Sequence, residues 1–131
     1  MRPRVTDTVE FKVRFTHGLD DIVTEAAQSL HLRRATYIGL VLTQYANEIY
    51  EACDGDIANA PMTCFDLPKA AEAYYAQHNS EHERSLGKQI KATIKMQTRD
   101  TIMNVVSATG LAVPQLATSI VVRWAIKENI L

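Results

Sequence analysis

Apolar and polar residues alternate in two short stretches that lie far apart in the chain. Residues 9–15 read VEFKVRF, and residues 88–94 read KQIKATI. An alternation with a period of two residues predicts a β-strand that has one buried and one exposed face. The polar positions in both stretches carry mostly Lys, Arg or Gln, so each predicted strand has one apolar face and one face suited to hydrogen bonding.

Each predicted strand is followed by two stretches with the spacing of amphipathic helices. Apolar residues recur there at i, i+3, i+4 and i+7, which places them on one side of a helix. Thr16 is a candidate N-cap, Gly110 fits the left-handed position that ends a helix, and Pro114 fits a first helical turn. The apolar positions are Leu19, Ile22, Val23, Ala26, Ala27 and Leu30 in the first helix, Ile38, Val41, Leu42, Tyr45, Ala46 and Ile49 in the second, and Val113, Leu116, Ala117, Ile120, Val121, Trp124 and Ala125 in the last.

The two halves of the chain align without a gap at one constant offset, which places Phe11 on Ile90 and Tyr45 on Trp124. The aligned units span residues 9–49 and 88–128, and they share a pattern more than they share identical residues. A connection of residues 50–87 joins them. Good helix formers after Pro68 predict an extra helix near residues 69–83.

Length and composition indicate one globular domain that comprises residues 1–131. The chain has 131 residues, of which 47% are hydrophobic. No apolar run is long enough to span a bilayer, and no apolar run follows the first arginines, so we expect a cytoplasmic protein without membrane association. In that compartment Cys53 and Cys64 are expected to be reduced thiols, and the alternative is a disulfide that closes the short loop between them.

Charge is distributed unevenly along the chain, although the net charge is only −1. Residues 84–99 contain five basic residues and no acidic residue, whereas residues 47–83 contain eight acidic residues and one basic residue, Lys69. The basic segment includes the second predicted strand, which is compatible with an anionic partner. The acidic connection is expected to be a solvated insertion. The alternatives are that it docks a partner protein or masks the basic segment.

No residue pattern in the sequence indicates catalysis. The chain has no Gly-rich phosphate loop, no HExxH motif and no Ser in the context of a nucleophile elbow. His78 and His82 have a spacing that occurs in metal sites, but the ten residues between the two cysteines fit no common zinc pattern. We therefore expect a protein that is not an enzyme and that uses no cofactor and no metal.

The succession of strand, helix, turn and helix resembles the ribbon–helix–helix DNA-binding family of the Arc and MetJ repressor type. The resemblance rests on VEFKVRF followed by LDDIVTEAAQSLHLRRATYIGLVLTQYA, and the second unit follows it more loosely. In that family two chains pair their strands antiparallel above four interleaved helices. Because both units lie in one chain here, the resemblance implies a mainly α fold with a two-stranded antiparallel β-ribbon, built as an intramolecular pseudo-dimer.

The resemblance also implies which residues contact DNA. A two-stranded ribbon fits the major groove, where Lys and Arg donate to guanine and Gln pairs with adenine. The phosphate contacts of the family, at the start of its second helix, fall on Arg33 and Arg34. Lys88 and Lys95, at the ends of the second strand, are further phosphate candidates. The base-reading positions of the family fall on Glu10, Lys12, Arg14, Gln89, Lys91 and Thr93.

The two units are not equivalent as readers of DNA. Only Lys12 and Lys91 agree among the aligned outward positions, so a non-palindromic site is expected. The second unit has Ala112 and Val113 where the first has its arginines, and the next residue, Pro114, lacks an N–H, so weaker phosphate anchoring is expected there.

These features predict a sequence-specific protein that binds double-stranded DNA. The fused units look like those of accessory proteins in conjugative-plasmid and T-DNA transfer, which implies a relaxosome accessory role alongside other DNA-processing proteins. A transcriptional repressor is the other biological role. Such a protein is a monomeric pseudo-dimer, and two copies pairing along DNA are compatible with it. The alternative is an adaptor or inhibitor of another protein complex that uses the same fold without DNA, which the small net charge, Glu10 and the acidic connection favour.

Overall fold

The computed structural model describes residues 7–56 and 67–128, and of residues 67–71 only the backbone. The described chain is mainly helical and contains one two-stranded antiparallel sheet, which confirms the fold class at this level. The elements in chain order are β1 (Thr8–Val13), α1 (His17–Ser29), α2 (Arg34–Ala52), α3 (Leu67–Gln77), α4 (Glu81–Arg84), β2 (Ile90–Lys95), α5 (Met96–Thr109) and α6 (Val113–Lys127).

The two strands pair with each other along their whole length. Thr8 lies opposite Lys95 at one end of the ladder, and Val13 lies opposite Ile90 at the other. The strands predicted at residues 9–15 and 88–94 therefore pair as expected, but the observed strands begin and end at other residues. One face of this ribbon covers the helices, and its buried residues are Phe11, Val13, Ile90, Ala92 and Ile94.

An extra residue in the segment before β2 sets the ends of the ladder. Beyond the last ladder pair, the Gly87 N–H donates to the Phe15 carbonyl at 2.9 Å, and Thr16 forms a bridge with Leu86. Between this bridge and the ladder, three residues of one segment face two of the other, as in a β-bulge. The last two residues of the first predicted strand and the first two of the second therefore lie outside the strands.

The hydrophobic core is centred on α2 and α6, which pack on each other. The predicted apolar stripe of α2, from Ile38 to Ile49, is buried at every position. The stripe of α6 is buried except at Val113 and Trp124, which are half-buried, and the Trp124 ring meets the Tyr37 ring edge-on at 5.0 Å. Residues from both halves of the chain thus form a single core cluster.

The apolar stripe predicted for α1 is wrong at its last position, Leu30. Leu19, Val23 and Ala27 are buried as expected, but Leu30 is 57% exposed. The helix ends at Ser29, and the left-handed φ of 58° at His31 turns the chain away after the cap. The apolar spacing would place Leu30 in the core only if the helix continued.

The predicted helix ends are correct in part. Gly110 has a φ of 75° and caps α5, and Pro114 lies in the first turn of α6. Thr16 occupies the N-cap position of α1, but its side chain makes no capping hydrogen bond. The backbone at Thr16 instead joins the bridge with Leu86.

The connection contains two helices where one was predicted near residues 69–83. α3 and α4 are separated at residues 78–80, where a capping box starts a new helix. The Ser80 hydroxyl accepts from the Glu83 N–H at 3.2 Å, and the Glu83 carboxylate accepts from the Ser80 N–H at 3.3 Å. α3 packs on α6, and α4 packs on α1. Cys64 lies outside the described residues, so the state of the two thiols stays a prediction.

Tyr74 is the buried anchor of α3. Its side chain is 4% exposed and stacks on the His78 ring at 4.5 Å. Among the described residues, its hydroxyl has no hydrogen-bond partner. Burial, and secondarily the nearby carboxylate of Glu83, raises the pKa of Tyr74 to about 12.

We expect Tyr74→Phe to raise the free energy of unfolding by about 1 kcal/mol at neutral pH, because it removes a buried hydroxyl without a partner. The wild type should also lose stability as the pH rises from about 10 towards 12, because the unfolded tyrosine ionises first. The variant lacks that loss. Denaturant unfolding at neutral and alkaline pH measures both effects, with the half-exposed Tyr50→Phe as control. If the two variants changed the free energy of unfolding equally at both pH values, the burial of the Tyr74 hydroxyl would be contradicted.

Candidate nucleic-acid interface

The exposed side of the ribbon carries six polar residues in three directly opposed pairs. Glu10 faces Thr93, Lys12 faces Lys91, and Thr8 faces Lys95. All six side chains are exposed. We call these six residues the outer ribbon face. Four of the six predicted base-reading residues belong to it, namely Glu10, Lys12, Lys91 and Thr93.

Lys12 and Lys91 form a directly opposed pair of like charges. Directly opposed residues of an antiparallel pair have Cβ atoms about 4.5–5.5 Å apart, and like charges there are destabilising. Neither lysine forms an ion pair with any of the described carboxylates. Two lysine side chains therefore extend from directly opposed, exposed positions, an arrangement that favours a partner with hydrogen-bond acceptors or negative charge.

Glu10 does not cancel this positive charge. It lies opposite Thr93, and its diagonal neighbours across the ribbon are Lys91 and Lys95. Long side chains can reach across such a diagonal, but Glu10 forms no ion pair with either lysine. The outer ribbon face thus combines three lysines with one glutamate.

Arg14 and Gln89 lie beside the ladder and outside it. Both are exposed and lie just beyond the ladder pair of Val13 and Ile90, Arg14 after β1 and Gln89 before β2. Arg14 lines a groove of about 400 Å³ together with Glu72 and Tyr75 of α3. These two predicted base-reading residues therefore extend the outer ribbon face at one end, and they do not belong to its paired positions.

Arg34, one of the predicted phosphate contacts, has an intramolecular partner. Its Nη1 donates to both carboxylate oxygens of Asp20 at 2.9 Å. Asp20 is 7% exposed and lies in the first turn of α1, so the ion pair joins the starts of α1 and α2. Because Asp20 interrupts no apolar pattern, no feature of the sequence indicated this contact.

Gly87 packs against the same ion pair, because a Cβ there would lie 3.0 Å from Asp20 Oδ2 and 3.3 Å from the Phe15 carbonyl oxygen. We expect Gly87→Ala to lower the free energy of unfolding by about 1–3 kcal/mol, since Arg34 holds the carboxylate in place. Denaturant unfolding measures the change. Leu86→Ala is the control, because Leu86 is 61% exposed and should change stability little. A Gly87→Ala protein as stable as the control would contradict the close approach.

A groove of about 650 Å³ lies between the exposed side of α2, the edge of β2 and the start of α5. We call it the α2 groove. Among the described residues, three cationic side chains line it, Arg33, Lys91 and Lys95, against one carboxylate, Glu51. Arg33 is exposed at the N-cap position of α2, and Lys88 is exposed beside Gly87. The structure therefore brings Arg33 and Lys95 together with Lys91, while Lys88 lies near the opposite end of β2.

The histidines of the connection contact carboxylates. His78 Nδ1 lies 2.9 Å from Glu83 Oε2, and His82 Nε2 lies 3.2 Å from Asp21 Oδ2. Hydrogen bonds from Ser80 and then His78 lower the pKa of Glu83. Within residues 7–56 and 67–128, no three potential metal ligands converge. His82 thus links α4 to α1, and His78 links α4 to the end of α3.

None of the described helices is by itself both long and apolar enough to cross a bilayer; α5 and α6 meet that criterion only as a pair, across a bend of 106°. Comparison of the chain with protein-family models, with curated proteins and with solved structures gives no match.

Proposed function

We propose that this protein binds double-stranded DNA with sequence specificity by inserting the outer ribbon face into the major groove. The observation that carries the proposal is the directly opposed pair of Lys12 and Lys91 on an exposed antiparallel ribbon. The major groove of B-DNA, about 12 Å wide, admits such a ribbon, and lysine ammonium groups donate there to guanine O6 and N7. Base acceptors between the two lysines would offset their mutual repulsion.

We also propose that the fold is a tandem ribbon–helix–helix pseudo-dimer. In support, the offset that aligns the two halves of the sequence places the first residue of α1 on that of α5, and the first residue of α2 on that of α6. The strand register agrees with this repeat, because the same offset places Lys12 on Lys91, and these two residues lie directly opposite each other. An internal two-fold axis between the two repeats would pass between these lysines.

Arg33, Lys95 and Lys88 are the residues that we propose as phosphate contacts. Arg33 lies at the start of α2, where free backbone N–H groups and the helix dipole also favour an anion. The start of α6 has fewer free donors, because the Ala112 N–H already donates to the Gln115 side chain at 3.2 Å. The proposal therefore includes stronger phosphate anchoring at α2 than at α6, and a non-palindromic site.

Sequence-specific DNA binding of this kind would serve one of two biological roles. The resemblance to fused double-unit proteins favours an accessory factor in plasmid DNA transfer, and transcriptional repression is the second role. One observation favours the alternative of a protein adaptor. Glu10 lies on the outer ribbon face, where it would repel phosphates unless it accepts a hydrogen bond from cytosine N4.

The salt dependence of duplex binding separates DNA binding from the adaptor role. Each phosphate contact contributes a slope of about −0.9 to the plot of log affinity against log salt concentration. With three contacting side chains, we expect a slope of about −3, measured by fluorescence anisotropy on mixed-sequence duplex. Removing Arg33 and Lys95 together should make the slope shallower by about 2. Absence of duplex binding at low salt would favour the adaptor.

A further inference from the structure

The outer side of α2 carries a stripe of residues at the spacing used for helix–helix packing. Thr36, Leu40, Thr43, Asn47 and Tyr50 follow one another at intervals of four and three residues, and all five line the α2 groove. Leu40 and Tyr50 are each 49% exposed. Large apolar side chains are thus exposed along one side of a well-formed helix.

The equivalent side of α6 is already covered by a helix. In the alignment of the two halves, Leu40 and Thr43 correspond to Ser119 and Val122, which are 3% and 0% exposed. α3 packs on α6, and its Tyr75 lines a groove together with Ser119. The fold therefore accommodates a helix on this side of one repeat, whereas no described segment of the chain covers the same side of the other repeat.

Charges at the two ends of the α2 stripe are complementary to each other. Arg33 lies at the end where α2 begins, and Glu51 lies at the end where it finishes. Arg33 and Glu51 are roughly 27 Å apart at a rise of 1.5 Å per residue, so they cannot neutralise each other within one chain. A second copy of α2 in the antiparallel direction would bring each arginine to the other copy's glutamate.

The middle of the stripe also suits such a pairing. An antiparallel alignment of this kind is centred near Thr43, whose hydroxyl already donates to the Gly39 carbonyl at 2.7 Å. The Thr43 hydroxyl therefore needs no partner from the second copy across the two-fold axis. Leu40 of each copy would pack beside Asn47 of the other, and antiparallel helix dipoles attract. Isologous two-fold contacts of this type are the commonest in protein oligomers.

We propose that the α2 groove binds α2 of a second copy of this chain, forming an antiparallel two-fold dimer. The proposal does not depend on DNA binding. Sedimentation velocity without DNA tests it, and we expect reversible dimers with a dissociation constant in the micromolar range, roughly 1–100 μM. Leu40→Lys should raise that constant at least tenfold, because it adds a cation to a cationic groove. Leu30→Lys is the matched control, since Leu30 is also exposed and lies outside the groove.

A charge-swap cycle tests the direction of the pairing. Glu51→Arg and Arg33→Glu should each weaken the dimer, and the double variant should recover most of the affinity. A wild type that stays monomeric, a dimer that Leu40→Lys leaves unchanged, or a double variant without recovery would overturn the proposal. A monomer would leave the groove open for a helix of another protein. DNA is absent from these measurements, so their failure is distinguishable from failure of duplex recognition.

Discussion

Replacing Lys12 and Lys91 together by alanine is expected to weaken specific duplex binding by roughly 30- to 10⁴-fold. Each good hydrogen-bonded contact to a base edge discriminates by about 1–3 kcal/mol, and a tenfold change in affinity corresponds to about 1.4 kcal/mol. The two lysines lie directly opposite each other on the outer ribbon face, so both would contact bases at the same time. Fluorescence anisotropy measures the loss on a duplex that the wild type enriches from a random pool.

The fold should survive this double substitution. Both side chains are exposed, and removal of a like-charge pair relieves repulsion, so the free energy of unfolding should stay equal or rise by less than about 1 kcal/mol. Arg123→Ala with Lys127→Ala is the matched control, because these two cations contact Glu48 on another surface. The control should bind DNA within about threefold of the wild type. An equal loss in both double variants would show that only total charge matters, and it would contradict base reading.

Phe15→Ala is expected to lower the free energy of unfolding by about 3–5 kcal/mol, the usual cost of truncating a buried phenylalanine. Phe15 is 1% exposed and lies where the chain leaves β1 for α1. Its backbone carbonyl accepts from the Gly87 N–H, so its position is fixed by the connection as well as by the core. The melting temperature should fall by roughly 10–20 °C, as measured by circular dichroism.

Leu30→Ala is the control for this prediction. The apolar spacing of α1 assigned Leu30 to the core, but its side chain is 57% exposed. Truncation of an exposed leucine should change stability by less than about 0.5 kcal/mol. If Leu30→Ala were as damaging as Phe15→Ala, α1 would continue past Ser29 and the boundary described here would be wrong.

The parts of the fold that the sequence pattern predicted are those in which local spacing decides burial. Every position of the predicted α2 stripe, from Ile38 to Ile49, is buried. The two strands were also predicted, because the alternation of residues 9–15 and 88–94 matches a ribbon with one covered face. The end of α5 was also predicted, because glycine is the residue that most readily adopts the left-handed conformation of a helix end, and Gly110 has a φ of 75°.

The parts that could not be predicted depend on contacts between distant segments. The ends of the strands depend on the extra residue before β2, which is visible only once the Gly87 N–H meets the Phe15 carbonyl. The ion pair of Arg34 with Asp20 joins two helices and follows no periodicity. The break between α3 and α4 is different, since the capping box at Ser80 and Glu83 was a readable signal that the helix formers around it outweighed.

The candidate site was predicted as a set of residues and not as an arrangement. Single-strand alternation indicates which side chains face outwards, but only the register shows that Lys12 and Lys91 are neighbours. The same register moves Arg14 and Gln89 to the end of the ribbon. The α2 groove followed from no local pattern, because it depends on which helix face the connection covers.

Selection of duplexes from a random pool tests the central claim most directly. We predict that the wild type enriches one non-palindromic motif and that the Lys12→Ala, Lys91→Ala protein does not enrich it. A bound pool with the base frequencies of the input, even though the protein binds duplex, would contradict the claim that the outer ribbon face reads DNA sequence.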